Sequence, residues 1–177
     1  NYAQMYVYEH TGAKKWGPIA NPGSGFSLLT VGDADGNGKA EILITAGTNI
    51  RITAGNGSST RLIPVPFSVG FSYCGTTIFD LNGEGKPELI HLGAFGPFDT
   101  VGGARGAVFI FDGQTGTHLH SIKSANAGNE DLIPIVADVD GDGSAEIVTS
   151  CSSPESNKIN VFKASNGQWS KARPIYN

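Results

Sequence analysis

Cysteine, methionine and clustered positive charge are all scarce in this sequence. Its two cysteines, Cys74 and Cys151, are too few for a disulfide framework and are not spaced as a zinc or redox pair. Twelve Lys and Arg against 16 Asp and Glu leave a formal charge of -4 with no dense basic cluster. The electrostatic footprint that nucleic-acid or anionic-membrane partners require is therefore missing. No apolar run approaches the ~18 residues of a membrane span; the longest, from Ala107 to Phe111 and from Leu132 to Ala137, are strand-sized. Membrane insertion is not expected. Nor does Asn1 open a charged segment followed by an apolar one, so the chain reads as a mature form or as a piece of something longer. There is no G-x-S-x-G elbow, no phosphate-binding glycine loop and no cysteine matched to an evident base, so an enzyme is not expected.

Glycine is in excess, with 25 of 177 residues, about twice the usual ~7%. Helices tolerate glycine poorly because it loses the most backbone freedom on ordering, so this usage indicates many turns and excludes a helical bundle. The glycines follow no G-x-y period and 39% of residues are hydrophobic, which excludes collagen and disorder.

Three segments share one spelling: DADGNGKAE at 33–41, DLNGEGKPE at 80–88 and DVDGDGSAE at 138–146. All read D-x-[DN]-G-[NED]-G-x-x-E, and three copies amount to an internal repeat. A second signal alternates with it, an apolar pair followed by a glycine turn: VYEHTG at 7–12, IFDGQTG at 110–116 and VFKASNG at 161–167, with NIRITAG at 49–55 as a degenerate copy. Each acidic loop lies between short β-branched or aromatic runs: Phe26 to Val31 and Ile42 to Thr45, Thr76 to Phe79 and Leu89 to His91, Ile133 to Ala137 and Ile147 to Thr149. The expected fold is all-β. The acidic loops begin 47 and 58 residues apart, close to the ~40–50 residues of a four-stranded propeller blade with room for one insertion. Residues 1–22 then form half a blade, and blades follow at 23–68, 69–124 and 125–177. About three and a half antiparallel blades do not close a ring of roughly 4–8, so the expectation is a segment of a larger β-propeller. Its partners would be the remaining blades, from the same polypeptide or from an assembly partner.

Within each acidic loop, oxygen-bearing side chains fall at positions 1, 3, 5 and 9, and glycines at 4 and 6 allow the positive φ that tight curling needs. Side-chain ligands are assigned to Asp33, Asp35, Asn37 and Glu41, to Asp80, Asn82, Glu84 and Glu88, and to Asp138, Asp140, Asp142 and Glu146. The backbone carbonyls of Lys39, Lys86 and Ser144 take position 7. Hard oxygen donors in this number suit Ca²⁺, with 6–8 oxygens at about 2.3–2.6 Å, better than Mg²⁺; zinc would want His or Cys. Three Ca²⁺ sites are expected, the third tightest because it alone carries four carboxylates. The EF-hand shares the first six positions but places its final acid at 12 rather than 9, between helices rather than strands, and is rejected.

These loops, with the run LGAFGPFDTVGGARGAVFIFDG at 92–113 and the tail WSKARPIYN at 169–177, resemble the FG-GAP (VCBS-type) repeats of integrin α-subunit propellers and of many secreted bacterial proteins. The resemblance covers nearly the whole chain. It departs from the usual pattern in having Glu at position 9 throughout, and Asn37 and Glu84 at position 5. It implies structural calcium in the turn joining the first two strands of a blade, an extracellular or cell-surface location, and an adhesion or binding scaffold whose protein or glycan ligand meets loops on the opposite face. Three other readings of that scaffold are a carbohydrate-binding lectin, part of a propeller-fold polysaccharide lyase, and a structural subunit of a surface fibre.

Other polar residues read as structural. His118 and His120 alternate and would share one face of an exposed strand; His10 and His91 have no recognisable partner. Asn56-Gly57-Ser58 is a glycosylation sequon but also a hairpin turn, and the turn reading is preferred. Cys74 and Cys151 are expected on the face away from the acidic loops, as buried thiols or as a disulfide. Trp16, Trp169, Tyr6, Tyr8 and Phe111 are expected to pack between blades.

Overall fold

Runs of β-branched and aromatic residues that are too short for helices and are separated by Gly, Asn and Asp turns fold back on themselves as antiparallel meanders. A computed structural model describes residues 4–20, 28–66, 74–94, 106–124, 133–151, 158–165, 167 and 169–173. Among them there is no helix, so none long and apolar enough to cross a membrane. Strands β1 (Gln4–Tyr8) and β2 (Lys14–Ala20) form a two-stranded sheet. Four-stranded sheets follow, β3 (Leu29–Gly32), β4 (Glu41–Ala46), β5 (Asn49–Ala54) and β6 (Thr60–Pro64), then β7 (Thr76–Phe79), β8 (Glu88–Ala94), β9 (Gly106–Asp112) and β10 (His118–Ser124). The last sheet contains β11 (Ile135–Ala137), β12 (Glu146–Cys151) and β13 (Lys158–Phe162). Every pairing is antiparallel between consecutive strands. The expected all-β class and its antiparallel four-stranded sheets are present. Residues 21–27, 67–73 and 125–132, at or next to the points where the sequence divides into repeats, lie outside the described residues, as do Gly102-Gly103 and residues 174–177 of the tail.

The central strands β8 and β9 of the second four-stranded sheet are buried on both faces, which explains why Ala107 to Phe111 is apolar without alternation. Ala107, Phe109 and Phe111 point one way, into a core with Leu43, Ile50, Ile52 and Ile63 of the preceding sheet. Val108 and Ile110 point the other way, toward Ile147, Phe162 and Trp169. Gly93 has no side chain because Phe109 lies over it; a Cβ there would stand 2.7 Å from the ring.

The first strands of the three larger sheets lie side by side, β3 against β7 and β7 against β11. Thr30 Oγ1 donates to the Thr76 carbonyl and Thr77 Oγ1 to that of Pro134, tying one first strand to the next. The β1–β2 sheet is anchored by Trp16, whose Nε1 donates to the Gly55 carbonyl at 2.9 Å while its ring covers Gly57. The outermost faces carry exposed apolar side chains, Leu29 and Val31 on β3 at one end, and Ile135, Ile159 and Val161 of the last sheet at the other.

Candidate metal centres

Each acidic loop joins the first and second strands of a sheet: residues 33–41 between β3 and β4, 80–88 between β7 and β8, 138–146 between β11 and β12. The opening aspartate curls the loop by accepting backbone amides from the far side of the turn. Asp33 accepts from Asn37 and Gly38 at 3.0 and 2.8 Å, and Asp138 from Gly141 and Gly143 at 2.7 and 3.0 Å. Asp80 accepts from Gly83, Glu84 and Gly85. Asp35, Asn82 and Asp140 at position 3 each accept the amide two residues on, as do Asn37 and Asp142 at position 5, which take those of Lys39 and Ser144. The six loop glycines have φ between 74° and 90°, the left-handed values expected for them.

The final glutamates turn inward. Glu41, Glu88 and Glu146 are buried, and one oxygen of each accepts the position-2 amide, from Ala34 at 2.9 Å, Leu81 at 2.7 Å and Val139 at 2.9 Å. This gives each glutamate a second task that its spelling alone does not reveal. The accompanying apolar residue at position 2 is the visible signal: Ala34 and Leu81 pack into the two cores.

The loops differ in how their ligand atoms converge. Carboxylate oxygens of Asp33, Asp35 and Glu41 lie within 4.8 Å of one another, and so do those of Asp138, Asp140 and Asp142. Asp80, Glu84 and Glu88, all described, form no such group. Glu84 has one methylene more than Asn37 or Asp142 at that position, and Asn82 Nδ2 donates to Glu88 Oε1 at 3.0 Å. Burial pushes the Glu88 carboxyl above the usual range, against the Leu81 amide, and the charges of Asp80 and Glu84 raise it further. Two acidic clusters suited to a metal ion are thus present among the described residues. Of the position-7 residues, Lys39 and Ser144 have their amides engaged in the loop, Ser144 bridges to Lys171, and Lys86 precedes Pro87, whose carbonyl accepts from Gly113 at 3.0 Å.

The third loop receives a side chain from outside the motif. Lys163 Nζ donates to Asp140 Oδ2 at 2.6 Å and to Asp142 Oδ2, and lies 3.6 Å from Glu146 Oε1. That oxygen is buried and accepts no hydrogen bond. The Lys163 hydrogen bond holds the Asp142 carboxyl below its ordinary value, and the ammonium is correspondingly raised. All-oxygen donor sets, an orphaned buried carboxylate oxygen and a cation already drawn among them fit a hard cation such as Ca²⁺.

The other candidates make contacts within the fold. A bulge between His118 and His120 registers them against Phe111 and Ile110, on opposite faces, so they do not share one. His118 packs on Phe109 and Phe111 and hydrogen bonds Ser121. His91 is fully buried with Nδ1 2.9 Å from Thr76 Oγ1. Asn56-Gly57-Ser58 forms the expected turn, Asn56 Oδ1 accepting the Ser58 amide at 2.9 Å with Gly57 at φ 75°. Cys74 is buried; the Cys151 side chain lies outside the described residues.

No family model matches the sequence, and no curated protein matches it. Among solved structures, the V. cholerae biofilm matrix protein Bap1 is similar at 22% identity with a TM-score of 0.46. The similarity covers 90% of this chain and 30% of that one.

Proposed function

We propose that this chain is a calcium-stabilised β-propeller segment of FG-GAP type in a secreted or cell-surface protein, serving as an adhesion or binding scaffold. The observation that carries the calcium reading is the convergence of three carboxylates in the first and third loops. The same spelling extends the reading to Asp80, Asn82, Glu84 and Glu88, where a cation would draw Glu84 inward and relieve the charge around Glu88. Support for the propeller comes from the side-by-side first strands and from the repeated packing of position 2 onto the following sheet. Ala34 and Leu81 each find that sheet, whereas Val139 is 43% exposed. Further blades, from this polypeptide or from an assembly partner, would cover it.

The metal is structural in this reading. Side chains and a carbonyl account for most of the 6–8 oxygens that Ca²⁺ takes, leaving little room for a substrate. With the affinity usual for extracellular modules, such sites would fill where calcium is near millimolar, which supports a location outside the cytosol. A lectin reading draws on one feature, a cavity of about 770 Å³ beside the first loop lined by Lys15, Asp35, Asn37, Ser58, Thr60 and Arg61. Isothermal titration of EDTA-treated protein tests the main reading: two or three Ca²⁺ per chain are expected, and no uptake would sink it. A sugar-inhibitable hit on a glycan array would move the ligand assignment to the lectin.

A further inference from the structure

We propose that the Lys163 ammonium is the resident cation of the third acidic loop, holding it closed without metal, so that Ca²⁺ enters only by displacing this side chain. The proposal rests on the calcium reading above and concerns how one of its sites is controlled. Strand register supplies the first argument. The residue opposite the final glutamate of the loop is Ala54 for Glu41 and Asp112 for Glu88. One step beyond the Ile147–Phe162 pair, it is Lys163 for Glu146. A single position thus carries a neutral, an acidic and a basic residue in the three sheets, and the basic one forms ion pairs with the carboxylates of its loop.

The ammonium is also placed as a bound ion would be. It gathers Asp140, Asp142 and Glu146, carboxylates from three positions of the motif, as an ion at the centre of the loop would. Glu146 Oε1 is within a side chain only 1% exposed and has no hydrogen-bond donor, so the ammonium is the cation nearest to balancing it. Among the described residues, no Lys or Arg nitrogen comes within 4 Å of a carboxylate of the first two loops. The displaced side chain has space available: a cavity of about 590 Å³ lies alongside, lined by His120, Ile122, Val161, Phe162, Lys163 and Trp169. The extra carboxylate of this loop, which by itself marks it as the tightest site, is therefore offset by a charge of opposite sign on the same chain.

Calcium titrations of EDTA-treated wild type, Lys163→Met, Asp140→Asn and the double variant test this. Both side chains are substantially exposed, so folding is expected to be retained. Lys163→Met is expected to raise the affinity of one site about tenfold, since a unit charge a few ångströms from a divalent ion is removed, and the gain is expected to shrink in the Asp140→Asn background, where Asp142 and Glu146 alone still face the ammonium. In EDTA the same variant is expected to melt below wild type, and in millimolar Ca²⁺ to gain more than wild type does. Calcium uptake with identical isotherms for wild type and Lys163→Met would overturn the proposal and leave the calcium reading standing. Absence of uptake in every variant would end the calcium reading and the competition with it. Unchanged melting of Lys163→Met in EDTA would show that the ammonium does not hold the loop closed.

Discussion

Gly113 shows how much depends on one missing side chain. Its amide donates to the Pro87 carbonyl, and a Cβ there would stand 2.1 Å from the Ala34 carbonyl oxygen and 2.6 Å from that of Pro87. Two acidic loops meet behind this residue and neither backbone can yield. Gly113→Ala is expected to cost about 2–3 kcal/mol, in the range of an overpacked core, read as a lowered melting temperature in the presence of Ca²⁺. Unchanged melting would mean that the crossing is slack. At Glu41 two contributions separate. Glu41→Ala leaves the buried Ala34 amide without an acceptor, a loss of roughly 1–3 kcal/mol that persists in EDTA. Glu41→Gln keeps an acceptor and is expected to lose mainly the calcium-dependent stabilisation. Comparing the two variants by denaturant unfolding with and without Ca²⁺ checks the division; equal losses in EDTA would contradict it. His91 gives a pH dependence of definite sign. Burial lowers its pKa from 6.5 to about 4, so between those values the unfolded chain binds a proton that the folded chain refuses. This contribution is absent above the unfolded value and grows as pH falls from 6.5 toward 4, reaching on the order of 3 kcal/mol of destabilisation. An NMR titration that found His91 protonated in the folded protein at pH 5.5 would refute the assignment.

Between elements, the segment 169–173 acts as a clamp on two loops. Ser170 donates its amide to the Leu81 carbonyl at 2.7 Å and its hydroxyl to that of Asp80, while its own carbonyl accepts from Ala145 at 2.9 Å. Arg173 accepts from Asp138 at 3.3 Å. Deleting residues 169–177 is expected to weaken calcium uptake at the second and third loops together and leave the first unaffected; a uniform loss, seen by titration, would argue against a local clamp. The same elements show why some features were legible in the sequence. Strands flanking each acidic loop were readable because Asp, Asn and Gly stop them sharply, and the hairpins at Gly12, Gly116 and Gly167 because glycine supplies φ values of 63–84°. The role of Lys163 was hidden, since only the β12–β13 register brings it to Glu146 from 17 positions away in the chain. His118 and His120 do not share a face, as their alternation suggests, because one extra residue in β10 reverses facing, and nothing in THLHS marks a bulge. The second loop spells the motif as the others do, yet its convergence depends on where Glu84 and Asn82 point, which spelling does not determine.

At the scale of the whole molecule, the two outer sheet faces are related by the repeat. The face of β3 with Leu29 and Val31 corresponds to the face of β7 that meets the preceding sheet, where Ile78 packs on Gly32 at 3.0 Å from a would-be Cβ. The face with Val139 and Ile135 corresponds to the one that receives the next sheet. Such surfaces complement each other head to tail. Concentration-dependent association of the 177-residue chain is expected in light scattering, with Ile135→Lys shifting it toward monomer; a monomer at all concentrations would show that these faces do not recognise one another. The burial of β8 and β9 on both sides has a further consequence in time rather than in space. Their amides are expected to meet solvent only when both neighbouring sheets have gone, whereas the outer sheets can open from their free sides. Hydrogen exchange should therefore run as a gradient, with Leu89 to Leu92 and Val108 to Phe111 exchanging last, through global unfolding alone, and the ends exchanging earlier by fraying.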